Sequence, residues 1–265
     1  MSSHPIGIFD SGIGGLTVFR EIARILPNES LLYLGDTARV PYGTKSAATV
    51  LRYALQNVRF LLEKNVKMVV VACNTASAFA LEEVQKQFTI PVIGVIEPGV
   101  AGALKSSSSK RIGIIGTEGT IASSAYSRSI LSKDPSSFVT SAACPLFVPL
   151  VEEGWWETSI TEEIAQTYLG EMLKARIDTL ILGCTHYPLL KRTLRKVAGE
   201  TVTLIDSAEE TARAASALLT EKNLMAKENR NPRREFFVTD SPERFQKMAD
   251  LFLKQDLRDV HHVEI

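Results

Sequence analysis

Cysteine and histidine are both scarce in this chain: 265 residues contain three of the first and four of the second. Three cysteines cannot build a disulfide framework, and the odd count leaves a free thiol, which predicts a reducing compartment. The histidines include the adjacent pair His261 and His262, and no CxxC, HxH or HExxH spacing occurs, so no metal is expected. An excess of either charge is missing too. Thirty Lys and Arg balance thirty Asp and Glu, leaving no footprint for nucleic acid or an anionic membrane. Long apolar runs are absent: Met68 to Cys73 is strand-sized, far short of the roughly 20 residues of a spanning helix. The N-terminal residues lack the basic region of a secretory signal and meet Asp10 early. A cytoplasmic globular chain is expected.

What is present is apolar and regular. Apolar residues make up 45% of the chain, enough for one large domain or two compact ones at roughly 150 residues each. Ile6–Phe9, Leu31–Leu34, Met68–Val71 and Pro91–Val95 read as buried strands. Between them, Leu16, Phe19, Ala23 and Leu26 recur at helical spacing until Pro27. Ala48, Leu51, Leu55, Val58 and Leu62 mark one face of a longer helix. This alternation predicts an α/β fold with doubly wound, mainly parallel sheet.

The pattern then restarts. Ile112-Gly113-Ile114 repeats Ile6-Gly7-Ile8 at an offset of 106 residues, and Cys184, after Leu180-Ile-Leu-Gly183, follows Cys73, after Val69-Val-Val-Ala72, at 111. Apolar strands ending in small residues are common, so either echo alone carries little. Two in the same order at nearly equal offsets predict two similar α/β halves related by pseudo-symmetry. The expected boundary runs from Glu97-Pro-Gly99 to Lys105-Ser-Ser-Ser-Ser-Lys110, its serines forming an exposed loop. Glu221 to Arg234 reads as a solvated loop.

Cys73 and Cys184 stand where a buried strand gives way to a polar tripeptide. Cys73-Asn74-Thr75 precedes a helical stretch over Ala76–Phe88, and Cys184-Thr185-His186 precedes a helix from about Leu189. Ligands bind at this carboxyl end of a parallel sheet. A helix N-terminus there favours thiolate, which matters because an ordinary thiol of pKa about 8.5 is only about 3% ionised at pH 7. One such cysteine is as readily a small apolar residue under a loop; two in equivalent places point to a functional pair. Asp10-Ser-Gly-Ile-Gly-Gly15 lacks the third glycine of a dinucleotide loop, Thr17 standing there, and no Walker lysine follows. Its glycines suit a tight turn carrying Asp10 and Ser11 over the site, with an N-cap role for Asp10 as the alternative. His186 suits a proton relay to Cys184. Glu152 and Glu153 can face either a cleft or solvent, and Cys144 is read as structural.

Thiols on opposite walls of a cleft fit two-sided proton transfer. One thiolate removes a proton from carbon while the other thiol delivers one to the opposite face. A disulfide catalyst would carry both cysteines in one CxxC, and a thiol hydrolase needs only one. A two-lobed binding protein needs neither.

Six blocks then carry a resemblance. Gly7-Ile-Phe-Asp-Ser-Gly-Ile-Gly-Gly-Leu16, Gly35-Asp-Thr37, Pro41-Tyr-Gly43, Ala72-Cys-Asn-Thr-Ala76, Pro149-Leu-Val-Glu-Glu-Gly154 and Gly183-Cys-Thr-His-Tyr-Pro188 resemble bacterial glutamate racemases, over about Ile6 to Leu219. The resemblance implies cofactor-independent interconversion of L- and D-glutamate, supplying D-glutamate for peptidoglycan, with aspartate or a related amino acid as the alternative substrate. It implies Cys73 and Cys184 as acid/base residues acting on the D- and L-isomers respectively, assisted by Asp10, Glu152 and His186. Asp10, Ser11, Tyr42, Gly43, Asn74, Thr75, Thr185 and His186 are the expected substrate-holding residues. No metal, nucleic acid or membrane partner is implied, and a homodimer is one assembly the resemblance allows. It also implies a discontinuous first domain, 1–97 with 208–265, and a second spanning 98–207. These blocks contain no Lys or Arg, so substrate carboxylates would be met by backbone N–H groups, hydroxyls and amides.

Overall fold

The computed structural model describes residues 3–227, 231–253, 257 and 260–265. Part of the polar stretch, 228–230, and part of the C-terminal stretch, 254–256 with 258 and 259, lie outside the described residues. Strands and helices alternate as the apolar runs predict. The strands are β1 (Ile6–Asp10), β2 (Leu31–Gly35), β3 (Met68–Val71), β4 (Val92–Gly94), β5 (Arg111–Gly116), β6 (Phe138–Ala143), β7 (Thr179–Gly183), β8 (Thr203–Asp206), β9 (Arg234–Val238) and β10 (Val260–His262). The helices are α1 (Leu16–Ile25), α2 (Ala47–Glu63), α3 (Asn74–Gln87), α4 (Ile96–Ser106), α5 (Glu118–Ala122), α6 (Ala125–Lys133), α7 (Phe147–Glu152), α8 (Ser159–Lys174), α9 (Lys191–Ala198), α10 (Ser207–Glu221) and α11 (Pro242–Leu253). No helix among the described residues is long and apolar enough to cross a membrane.

Two parallel sheets result, ordered β10-β9-β2-β1-β3-β4 and β6-β5-β7-β8. The units β2-β1-β3-β4 and β6-β5-β7-β8 have the same order, so the repeat read at offsets of 106 and 111 is a repeat of architecture. Its glycines have one job in both halves. A Cβ on Gly7 would lie 3.0 Å from Val66, and one on Gly113 would lie 2.6 Å from Ile177. Each neighbour stands two residues before the third strand of its unit, so the space left by the glycine seats equivalent apolar side chains.

Strands buried on both faces explain the unbroken apolar runs. Ile6, Ile8, Tyr33 and Val70 face α1, α10 and α11, whereas Phe9, Leu32, Leu34, Val69 and Val71 face α2 and α3. In the second sheet Ile112, Ile114, Ile181 and Ile205 pack with α4 and α6. Its opposite face, with Ile115, Leu180 and Leu182, joins Phe147, Leu169 and Leu194 in the same core as α1. Full burial of each such side chain contributes about 1.5–3 kcal/mol, and one of these cores runs through both halves.

One sequence expectation needs correction, and the structure adds detail to two others. The buried face of α2 is turned by about one residue: Val50, Ala54, Asn57, Val58 and Leu61 are inside, while Leu51, Leu55 and Leu62 are half-buried at its margin. The stretch expected as a boundary is mostly helix, α4, because Pro98 falls in its first turn, where a missing N–H breaks no helical bond. The serine run is an exposed loop, as expected, and it is tied down. The Ser107 and Ser109 hydroxyls and the Ser109 N–H donate to the Asp178 carboxylate, between 2.6 and 2.8 Å, which holds that carboxyl well below its usual range.

Candidate active site

In each four-strand unit the chain leaves the first strand on one side and returns on the other. A crevice therefore opens between the carboxyl ends of β1 and β3, and likewise between β5 and β7. The two crevices face each other. β1 delivers Asp10 and Ser11, β3 delivers Cys73, β5 delivers Thr117, and β7 delivers Cys184, Thr185 and His186.

Cys73 is the N-cap of α3, its Sγ accepting the Ala76 N–H at 3.5 Å and donating to Ser11 Oγ at 3.5 Å. The expectation of a helix-favoured thiolate fails here for a physical reason. Burial, reinforced by the nearby Asp10 carboxylate, outweighs the Ala76 and Ser11 hydrogen bonds and pushes the Cys73 pKa up to about 12. At neutral pH Cys73 is therefore a thiol.

Cys184 is placed differently. It caps no α-helix: a 3-10 turn, Tyr187–Leu190, intervenes before α9, since Pro188 interrupts the backbone donors. Its neighbour is His186, whose Nδ1 lies 3.9 Å from Cys184 Sγ while Nε2 lies 3.1 Å from Glu152 Oε1. Burial alone would depress the imidazole's pKa, but the bonds to Cys184 and Glu152 outweigh it and hold it at about 10. Glu152, at the end of α7, is held below its ordinary value despite partial burial by His186 and, more distantly, Arg244 of α11. Glu153 is exposed.

Asp10 ends β1 fully buried, and Oδ2 accepts the Gly12 N–H at 3.0 Å. It does not cap α1, whose N-cap is Gly15. Its Oδ1 meets the Thr185 hydroxyl at 3.4 Å. Burial raises its pKa, and the His186 charge and backbone donors offset this only in part. The turn between β1 and α1 approaches the other half so closely that a Cβ on Gly14 would lie 2.3 Å from Thr185 Oγ1 and 2.5 Å from His186 Nδ1.

The remaining expected residues differ in what they present. Thr75 Oγ1 lies 2.9 Å from Thr117 Oγ1 and 3.1 Å from Thr120 Oγ1, bridging the halves. Asn74 begins α3 beside Cys73. Tyr42 is buried with its hydroxyl donated to Asp36 and accepting from Asn57 Nδ2 at 3.1 Å, so what Tyr42 and Gly43 can offer a ligand is backbone at the start of a 3-10 turn. Thr117 and Thr120 were missed from sequence, yet the offset of 106 maps Ser11 onto Thr117 and would have found it. None of the three cysteines is in a disulfide. Cys144 is buried, its Sγ 3.7 Å from the Ala142 carbonyl. Among the described residues no three His, Cys, Asp or Glu side chains converge on a point that could hold a metal.

Two equivalent crevices pressed together, each ending in a thiol with proton-carrying groups beside it, define a two-lobed α/β protein with paired acid/base groups in a buried cleft. A sequence model of the Asp/Glu/hydantoin racemase family matches residues 6–215. A glutamate racemase of Geobacter metallireducens is 52% identical over 260 residues, 98% of this chain and 96% of that protein. The crystal structure of a glutamate racemase isoform from Bacillus anthracis superposes with a TM-score of 0.97 at 43% identity, covering 100% of this chain and 99% of that one. That of the Francisella tularensis glutamate racemase in complex with D-glutamate gives 0.93 at 41%, covering 100% and 98%. The chain belongs to the Asp/Glu/hydantoin racemase family, and it is a racemase.

Proposed function

We propose that the protein interconverts L- and D-glutamate by a two-thiol mechanism. The observation that carries this is the pair Cys73 and Cys184, one from each half, in unlike surroundings: a buried thiol beside Asp10, and a sulfur beside a charged imidazole. An imidazolium stabilises negative charge on Cys184 Sγ. With L-glutamate bound, Cys184 takes the α-proton while the Cys73 thiol gives its own to the opposite face of the carbon. The product is D-glutamate, with Cys184 now a thiol and Cys73 a thiolate. The D-isomer runs the same steps in reverse. Asp10 pairs with the substrate ammonium. Ser11, Asn74, Thr75, Thr185 and the backbone of Tyr42 and Gly43 meet the carboxylates, together with Thr117 and Thr120. Proton transfer from positioned groups accounts for about 10²–10⁴-fold of rate; exclusion of water and fixed donors stabilise the carbanion-like charge.

The likeness to glutamate racemases supports glutamate over aspartate, and with it a role in supplying D-glutamate for peptidoglycan from the cytoplasm. The division of the chain into 1–97 with 208–265, and 98–207, belongs to the same reading. It is supported by β9 and β10 joining the first sheet and by α10 packing on α1.

The test is circular dichroism of L-glutamate and L-aspartate with the purified protein in D₂O. Newly formed D-glutamate is expected to carry deuterium at the α-carbon. C73A and C184A are each expected to lower the rate at least about 10²-fold. Retention of the original proton, preference for aspartate, or indifference to loss of one cysteine would overturn the proposal.

A further inference from the structure

Asn74 has an unusual hydrogen-bond balance. Its Oδ1 accepts from the Tyr126 hydroxyl at 2.7 Å, whereas its Nδ2, buried from solvent, has no partner among the described residues. A buried donor left unmet is costly, which marks it as a group that something else pairs with. Tyr126 comes from α6, in the unit opposite Asn74, and its ring is held between α4 and β7. A Cβ on Gly99 would lie 3.3 Å from the ring, and one on Gly183 3.2 Å. Burial pushes its phenol far above the ordinary range, so it stays a hydrogen donor at every working pH.

A primary amide presents an acceptor on one side and donors on the other. Turned one way it attracts a carboxylate; turned the other it repels one. With no Lys or Arg in the blocks around the cleft, the direction of this one amide matters. We infer that Tyr126 is a positioning residue: by holding the Asn74 carbonyl it fixes the amide so that its NH₂ group is offered to a substrate carboxylate. The inference rests on the reading of Asn74 as a substrate-holding residue. It also makes the binding of the anion depend on a contact between the halves.

The experiment is a double-mutant cycle on racemisation with Y126F, N74A and Y126F/N74A, with thermal unfolding measured alongside. Y126F keeps the buried ring and removes only the donor. It is expected to raise KM for L-glutamate about tenfold with kcat within about threefold, the effect of one lost hydrogen bond, and to leave Tm unchanged. N74A is expected to raise KM at least as much, and Y126F is expected to add less than about twofold in the N74A background. Because the two enantiomers are equally stable, the fall in kcat/KM must be equal for L- and D-glutamate. Normal KM in Y126F, with N74A impaired, overturns the inference alone, as does full additivity. Normal KM in N74A removes the reading of Asn74 and the inference with it. Should Y126F unfold, Y126L takes its place in the same cycle, where an unchanged KM, or full additivity with N74A, overturns the inference.

Discussion

Two cysteines at matching strand ends meet different physics. Cys73 is surrounded by burial and Asp10, Cys184 by a charged His186, and the difference traces to two residues. Asp10 maps onto Gly116 at the first offset, and His186 maps onto Thr75 at the second, so each half lacks what the other has. Both cysteines were legible from their positions in sequence, but the surroundings of neither were, because the neighbours come from other elements. The His186–Glu152 pair makes this testable. A folded pKa of about 10 against an ordinary value of 6.5 means the imidazole contributes stability that is fully present below about pH 6.5. That contribution falls away as the pH rises to about 10. In E152Q one of the two hydrogen bonds that raise the pKa loses its charge. The His186 NMR titration midpoint is expected to fall toward 6.5, and the loss of stability to shift to lower pH with it. An unmoved midpoint would contradict the assignment of Glu152 as its partner.

Elements were read more reliably than the way they turn. The apolar runs of β1, β3, β5 and β7 announced buried strands, whereas the inward face of α2 was misjudged by about one residue. A large leucine is not needed inside where Asn57 is buried to serve the Tyr42 hydroxyl, and no hydrophobic pattern marks that demand. A similar polar contact joins elements at the opposite end of the first sheet. Lys67 Nζ, just before β3, lies 2.5 Å from Glu29 Oε2 and donates to the Leu224 carbonyl at 2.8 Å, while Glu29 Oε1 accepts the Ala226 N–H at 2.7 Å. This cluster pins the segment after α10 against the amino ends of β2 and β3. Removing one partner strands a buried charge, so K67M is expected to lower the unfolding free energy by about 3–5 kcal/mol in urea titration. K67M/E29L is expected to recover much of that loss. A K67M protein as stable as the parent would show the pin to be idle.

At the scale of the whole molecule, two sheets of the same strand order press their switch-point crevices together, and the closeness is set at Gly14. A methyl group there would overlap Thr185 and His186 of the other half. G14A is therefore expected to leave far-UV circular dichroism intact, raise the radius of gyration, and lower racemase activity more than about tenfold. Unchanged activity would show that the halves meet less tightly.

The α/β class, the internal repeat and the two thiols at strand ends were all determined by the sequence itself, because strand periodicity and the order of residues after a strand are local along the chain. The tertiary structure alone decided that His186 meets Glu152, 34 residues away, and that Asn74 meets Tyr126, 52 away. It alone decided that burial beside Asp10 pushes the Cys73 thiol's pKa up. Desolvation, electric fields and hydrogen bonds depend on distance through space, and the fold converts chain separation into that distance.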